Sequence, residues 1–196
     1  MVDINPTRIP GRWSKGFSLD LHTTSSELIG HDEYGHPRFE SKRAELGELL
    51  YKLKFRRNKR VIPEIAEVVV SFVEAYLPKV DLIIPAPPST PRTEQPVILL
   101  ARAIGERINV PVSEDCVWKT RETPQLKNVF DFDERLRLLD GAFEVDRPAV
   151  ENKTVLLFDD LFRSGATLNA ITSVLYDQGG ARDILALTLT RTRNLR

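Results

Sequence analysis

Cysteine is almost missing. Cys116 stands alone in 196 residues, so no internal disulfide can form, and a reducing, cytoplasmic compartment is the expectation. Its apolar neighbours Val117 and Trp118 mark it as core filler. No sign of charge dominates either: Lys and Arg number 28, Asp and Glu 28, and the pI is near 6.9. That balance excludes a global field that would recruit nucleic acid or an anionic membrane, so any such contact has to be local. No apolar run approaches the length of a membrane span, and the first residues lack the charged-then-apolar layout of a secretion signal. The usual glycine-rich phosphate motifs are absent too: no Gly-x-Gly-x-x-Gly follows a strand, and no Gly-x-x-x-x-Gly-Lys-Ser/Thr occurs. The length suits one sizeable core rather than two.

What is present concentrates between Lys153 and Leu168. Val155 to Phe158 is a short, continuous apolar run, the pattern of a parallel strand covered on both faces, and it is followed directly by Asp159 and Asp160. Ser164 and Gly165 then supply a capping hydroxyl and a permissive backbone, and Leu168, Ile171, Val174 and Leu175 have helical spacing. Strand, acidic tip, small-residue loop and helix follow one another. A loop feeding a helix N-terminus aims unpaired N–H groups and the positive end of the helix dipole at one point, where a phosphate fits. The two carboxylates would repel phosphate but accept hydrogen bonds from an adjacent diol. A phosphoribosyl group carries both. Acids followed by Ser-Gly are also ordinary turn and N-cap chemistry, which is the competing reading of this segment alone.

The stretch resembles the phosphoribosyl-pyrophosphate (PRPP) signature of type I phosphoribosyltransferases, and among them the ComF-type, amidophosphoribosyltransferase-like members. Leu49 to Arg56, Ile83 to Ala103 and Arg121 to Phe143 extend the resemblance over most of the chain after about residue 40. It implies an α/β fold, an open and mostly parallel sheet flanked by helices with an N-terminal arm or hood. It also implies catalytic acids Asp159 and Asp160 on the ribose diol, and a 5-phosphate held by Arg163, Ser164, Gly165, Ala166 and Thr167. Pyrophosphate would lie near Pro88 and Ser89, with Lys127 and Arg135 as lid cations. The implied activity is transfer of ribose 5-phosphate from PRPP to an unidentified nitrogenous acceptor, with Mg2+ as cofactor. Mg2+ is usually held in part by substrate phosphates and water, so no dedicated protein cage is expected. A homodimer is a further expectation, dimers being common in that family. A PRPP- or nucleotide-sensing protein without turnover is the first alternative, and an accessory in handling single-stranded DNA the second.

Three departures from the family pattern stand out. Arg163-Ser164 occupies a place where Thr-Thr or Thr-Gly is more usual, Arg92 to Gln95 replaces an Arg-Gly-Phe-Asn-Gln segment, and the four-cysteine zinc module of many ComF-type proteins has no counterpart.

The rest of the chain is read around this unit. Residues 1–42 are polar and turn-rich, with Phe17 to His22 alternating like a half-buried strand and Tyr34-Gly35-His36-Pro37 as a turn. They are expected to form an arm or hairpin extension to a domain over 43–196. His31 and His36 match no metal-binding pattern and read as surface turn residues. Helices are expected over 42–56 and 62–77, with a basic run, Lys52, Lys54, Arg56, Arg57, Lys59 and Arg60, where they meet. That run suits either a solvated helix end or an anion patch. Val80 to Ile84 reads as a strand running into a proline-rich loop that is either a pyrophosphate loop or a structural corner. Gln95 precedes a helix over 97–108. Val112 to Trp118, Ala142 to Val145 and Ile184 to Leu189 read as strands. The connector 119–141 has the length of a lid. Lys119, Arg121, Lys127, Arg135 and Arg137 are available on it to neutralise pyrophosphate, Arg135 pairing alternatively with Asp131. Gly179-Gly180 is expected to close the signature helix.

Overall fold

The structure is a computed structural model, and it describes residues 2–88, 93–121 and 132–193, without the side chains of Phe132, Asp133 and Leu136. The N-terminal part runs β1 (Thr7–Arg8), β2 (Lys15–Leu21), β3 (Ser25–His31), β4 (Pro37–Lys42), α1 (Glu45–Arg56) and α2 (Ile62–Tyr76). The middle runs β5 (Leu82–Pro85), α3 (Pro96–Ile108), β6 (Val117–Lys119), α4 (Phe132–Leu139), β7 (Phe143–Val145) and α5 (Arg147–Val150). The chain then finishes with β8 (Thr154–Phe162), α6 (Ala166–Asp177) and β9 (Asp183–Arg191).

One sheet, in the order β1-β2-β9-β8-β5, organises these elements, and every pairing in it is parallel except that of the two-residue β1 with β2. Period-2 alternation divides its side chains between two apolar layers. Leu156, Phe158, Leu185, Leu187 and Leu189 pack under the leucines of α1 and the apolar stripes of α2 and α3, whereas Val155, Leu157, Ile184 and Ala186 pack under α6 and the β6–β7 ribbon. Both faces are covered, which is why the strands read as continuous apolar runs. The expected open, mostly parallel α/β sheet flanked by helices is the architecture found.

Three sequence expectations differ from the outcome. Asp159 and Asp160 do not end their strand; β8 continues through them to Phe162, with Asp159 opposite Thr188 and Leu161 opposite Thr190. The ladder to β9 and the buried Phe162 hold the backbone extended beyond the last expected apolar residue. Nor do the segments around Val117 and Phe143 join the sheet. They form a short antiparallel ribbon of their own, and Val112 touches the sheet through one isolated bridge to Ile83. Finally, residues 1–42 divide in two. β2 lies inside the main sheet beside β9 with Leu19 fully buried, while β3 and β4 form a separate two-stranded hairpin with Leu28, Ile29 and Phe39 exposed. Among the described residues no helix is long and apolar enough to cross a membrane.

Candidate functional site

The site gathers at the carboxyl end of the parallel strands, where ligands collect in open α/β sheets. β8 delivers Asp159 and Asp160 there, and β5 delivers the start of the proline-rich loop, whose Ala86 N–H donates to the Phe158 carbonyl at 2.8 Å. Pro88 lies just beyond and is exposed.

The acids have different partners. Asp160 Oδ2 is 2.7 Å from Lys54 Nζ of α1, and both side chains are largely buried at 15% and 21% exposure. Its backbone carbonyl accepts from Thr190 Oγ1 at 3.1 Å, and Thr190 Oγ1 lies 3.2 Å from His22 Nδ1. Burial, then the cations Lys54 and Arg43, hold His22 below the ordinary imidazole range. Asp159 receives one backbone bond, from Asp160 N–H at 2.8 Å. Burial pushes its carboxyl up to about 7, and the neighbouring Asp160 charge adds to the rise; the Asp160 amide and Lys54 oppose it. Successive strand residues point to opposite faces, so Asp159 turns toward the loop after β8, whereas Asp160 turns to Lys54 of α1.

The loop after β8 is short and constrained. Gly165 has φ 77°, and a Cβ there would come within 2.9 Å of the Phe162 ring and 3.3 Å of Asn169 Nδ2. Any other residue meets both the left-handed backbone penalty and a contact with a buried ring. Gly165→Ala is expected to lower stability by about 1–2 kcal/mol, read from denaturant midpoints. The N-cap is therefore Gly165 itself, with no side-chain cap, and the Ser164 hydroxyl reaches the Ala166 amide only at 3.5 Å. The first bond within α6 is from Asn169 N–H to the Gly165 carbonyl at 2.8 Å. The amides of Ala166, Thr167 and Leu168 precede it and have no helical carbonyl partner, which makes this end a donor cluster for an anion. A small cleft of about 90 Å³ lies against the loop, lined by Arg163, Ser164, Gly165, Ala166 and Thr167 together with Asp159 and Arg135.

The structure thus brings Asp159, the five loop residues and Arg135, a buried side chain of α4, to one cleft, whereas Asp160 pairs with Lys54 outside it. Pro88 is not among the residues that line this cleft. Ser89, Lys127 and Asp131 lie outside the described residues. Two other cations of the connector have partners elsewhere. Arg121 is a structural clamp, its guanidinium donating to the carbonyls of Leu138 and Asp140 at 3.0 Å each, and Lys119 lies 5.9 Å from the centre of the Phe143 ring. His36 bonds Asp32 within its own turn at 3.2 Å, and among the described residues no cluster of His, Cys, Asp and Glu is built to hold a metal.

Sequence reasoning missed His22 and Thr190, and it read Lys54 only as one cation of a basic run, not as the partner of Asp160. Lys54 had a usable signal: it follows buried Leu50 by one helical turn, so it flanks the packed stripe rather than the solvent side. His22 and Thr190 had none, because only the β2–β9 pairing brings them together.

No protein-family model matches the chain. Competence protein ComFC of Bacillus subtilis (strain 168) is 27% identical over 146 residues, which are 74% of this chain and 59% of that protein. The chain thus spans about three-fifths of the length of this curated relative. Among solved structures, the glutamine PRPP amidotransferase from B. subtilis, complexed with ADP and GMP, superposes with a TM-score of 0.50 at 17% identity, covering 80% of this chain and 34% of that one. An adenine phosphoribosyltransferase from Trypanosoma brucei gives a TM-score of 0.49 at 14% identity, over 90% of this chain and 83% of that one. Sequence likeness and architecture agree: the chain resembles ComF-type proteins and has the type I phosphoribosyltransferase fold.

Proposed function

We propose that the protein binds PRPP and transfers its ribose 5-phosphate to a nitrogen nucleophile, with release of pyrophosphate. The observation that supports this reading is the cleft in which Asp159 of β8 lies against the amide-rich start of α6, with Asp160 next to it in the strand. A 5-phosphate takes the amides and the Thr167 hydroxyl, and a ribose diol donates to the acids. The nitrogen lone pair forms the bond to the anomeric carbon while the carbon–oxygen bond to pyrophosphate breaks, the bonding electrons leaving with pyrophosphate. Positive charge grows on the ribose in that step, and Asp159 and Asp160 are placed to favour it.

Mg2+ fits this donor set in a limited way. Two carboxyls, one of them shared with Lys54, are too few to hold the ion alone but suffice to orient one carried by substrate oxygens. Asp159 and Asp160 are the residues that would do so. When bound, Mg2+ supplies charge neutralisation on the leaving pyrophosphate.

Asp160→Asn tests the assignment. The expected result is at least a tenfold loss of Mg-PRPP affinity by isothermal titration, with the circular-dichroism spectrum unchanged; retained affinity would sink the role given to the acid. Titration that shows PRPP binding without pyrophosphate release across a panel of bases would replace the transferase with a sensor.

A second reading has one observation in its favour. Phe55 is 62% exposed, its ring centroid 5.0 Å from that of Tyr51, among the cations of the α1 end. Aromatic faces interleaved with cations suit unpaired bases. Salt-dependent binding of a single-stranded oligonucleotide, abolished by reversing the charge of Arg56, Arg57 and Arg60, would support it; salt-independent or absent binding removes it.

A further inference from the structure

The segment between β1 and β2 is strapped across α6. Trp13 is buried, its indole N–H donating to the Ile9 carbonyl at 3.0 Å and its ring standing edge-on to Phe162 with centroids 6.5 Å apart. The Ser14 N–H donates to the Ile184 carbonyl at 2.9 Å. Between these anchors Arg12 meets the helix: its N–H donates to Asn169 Oδ1 at 2.9 Å, and its guanidinium to Ser173 Oγ at 2.9 Å and to the two Asp177 carboxylate oxygens at 2.9 and 3.1 Å. Residues 169, 173 and 177 recur at intervals of four, so they form one row along α6. The row reaches the turn after β8. Asn169 Nδ2 donates to the Gly165 carbonyl at 3.0 Å, and the Asn169 backbone N–H donates to the same oxygen at 2.8 Å.

We propose that Asn169, backed by Arg12, is a positioning residue that holds the Gly165–Ala166 peptide in the orientation that presents the Ala166 N–H to the loop cleft. That a sugar phosphate uses this N–H rests on the function proposed above; the hold on the peptide rests on the strap alone. Across a planar trans peptide the carbonyl and the following N–H point in opposite directions, so a carbonyl held along the helix turns its N–H out beyond the helix start. Glycine makes the hold necessary. At φ 77° and without a Cβ, Gly165 has other backbone states open to it, and rotation of this peptide would set a carbonyl oxygen against an anion in place of a donor. One bond to the Gly165 carbonyl belongs to the first turn of α6 and breaks whenever that turn frays. The second comes from a side chain tied to another part of the fold. With both in place the two lone pairs of that oxygen are engaged. Arg12 also decides which way the Asn169 amide faces, since its N–H takes the Oδ1 side and leaves Nδ2 for Gly165.

Asn169→Ala tests this, with Ser173→Ala as its control. Ser173 accepts from Arg12 and donates to the Asn169 carbonyl at 3.0 Å, so its loss loosens the same row without touching Gly165. Asn169 is half-buried and alanine suits a helix interior, so the variant is expected to fold. In the ligand-free protein, nitrogen-15 relaxation dispersion should show microsecond-to-millisecond exchange at the Ala166 amide of Asn169→Ala, and none in wild type or Ser173→Ala. Isothermal titration with ribose 5-phosphate should show roughly tenfold weaker binding for Asn169→Ala, the effect of one misplaced donor, and wild-type affinity for Ser173→Ala. An Ala166 signal as quiet in Asn169→Ala as in wild type overturns the proposal. So does an equal loss of affinity in the two variants, which would make Asn169 one more structural bond of the row. A wild-type protein that binds no ribose 5-phosphate removes the sugar-phosphate reading, and the exchange at Ala166 then decides the hold on the peptide by itself.

Discussion

Raising the pH from 4 to 7 should weaken the free protein through Asp159 alone. An unfolded aspartate titrates near 4, whereas the folded carboxyl is pushed up to about 7 by burial and by Asp160. Between those values the folded state holds a proton that the unfolded state has released, so this group's contribution falls as pH rises and levels off above about 7. A shift of roughly three units corresponds to about 4 kcal/mol as an upper limit, reduced by coupling to Asp160 and Lys54. Asp20, also raised by burial, acts in the same direction, while Asp177 and Glu114, lowered by Arg12 and Arg102, act in the opposite one. The informative quantity is therefore the difference between wild type and Asp159→Asn. The variant should be more stable than wild type at pH 8, by on the order of 2 kcal/mol, and should lose its advantage by pH 4. Parallel stability curves would show that Asp159 is an ordinary acid. Under the proposed function the same shift has a second consequence, because a diol donates best to an ionised carboxylate. PRPP binding at pH 6 should release a proton, detectable as a dependence of the binding enthalpy on buffer ionisation.

Gly47→Ala should destabilise the protein, although glycine within a helix ordinarily gains about 1 kcal/mol on replacement by alanine. A Cβ at Gly47 would stand 2.4 Å from the His22 carbonyl oxygen, well inside contact distance. His22 cannot give way, because its own N–H is bonded to the Arg191 carbonyl at 2.8 Å. α1 has to move instead, and the leucine stripe Leu46, Leu49, Leu50 and Leu53 moves with it. Overpacking of this kind costs about 1–3 kcal/mol. Lys54 rides on the same helix, so the displacement also separates it from Asp160. A denaturation midpoint equal to or above wild type would mean that α1 is held less tightly than this contact requires.

Much of the scaffold was legible because burial on both faces leaves a mark in one dimension. Val155 to Phe158 and Ile184 to Leu189 read as strands from composition alone, and the stripes Leu46-Leu49-Leu50-Leu53 and Ile65-Ala66-Val69-Phe72-Val73 read as helix faces; all are buried. Val117 and Phe143 misled, since a short apolar segment reads the same in a peripheral ribbon as in a central sheet. The turn between β8 and α6 was legible from Ser164 and Gly165, whose chemistry is local. The counter-ion of Asp160 was not, because Lys54 lies more than a hundred residues away and reads as one more cation in a basic run.

The order of residues by itself determined where the chain extends, where it coils, and that an acid pair precedes a glycine turn and a helix start, since these follow from side-chain periodicity and backbone preference within a few positions. Tertiary structure decided that the acids remain inside the strand, that Lys54 neutralises one while burial keeps the other near neutrality, and that Arg12 crosses α6 to reach Asn169. Desolvation and charge pairing depend on distances between segments remote in sequence, and only the packing of α1 and β2 against β8 and β9 sets those distances.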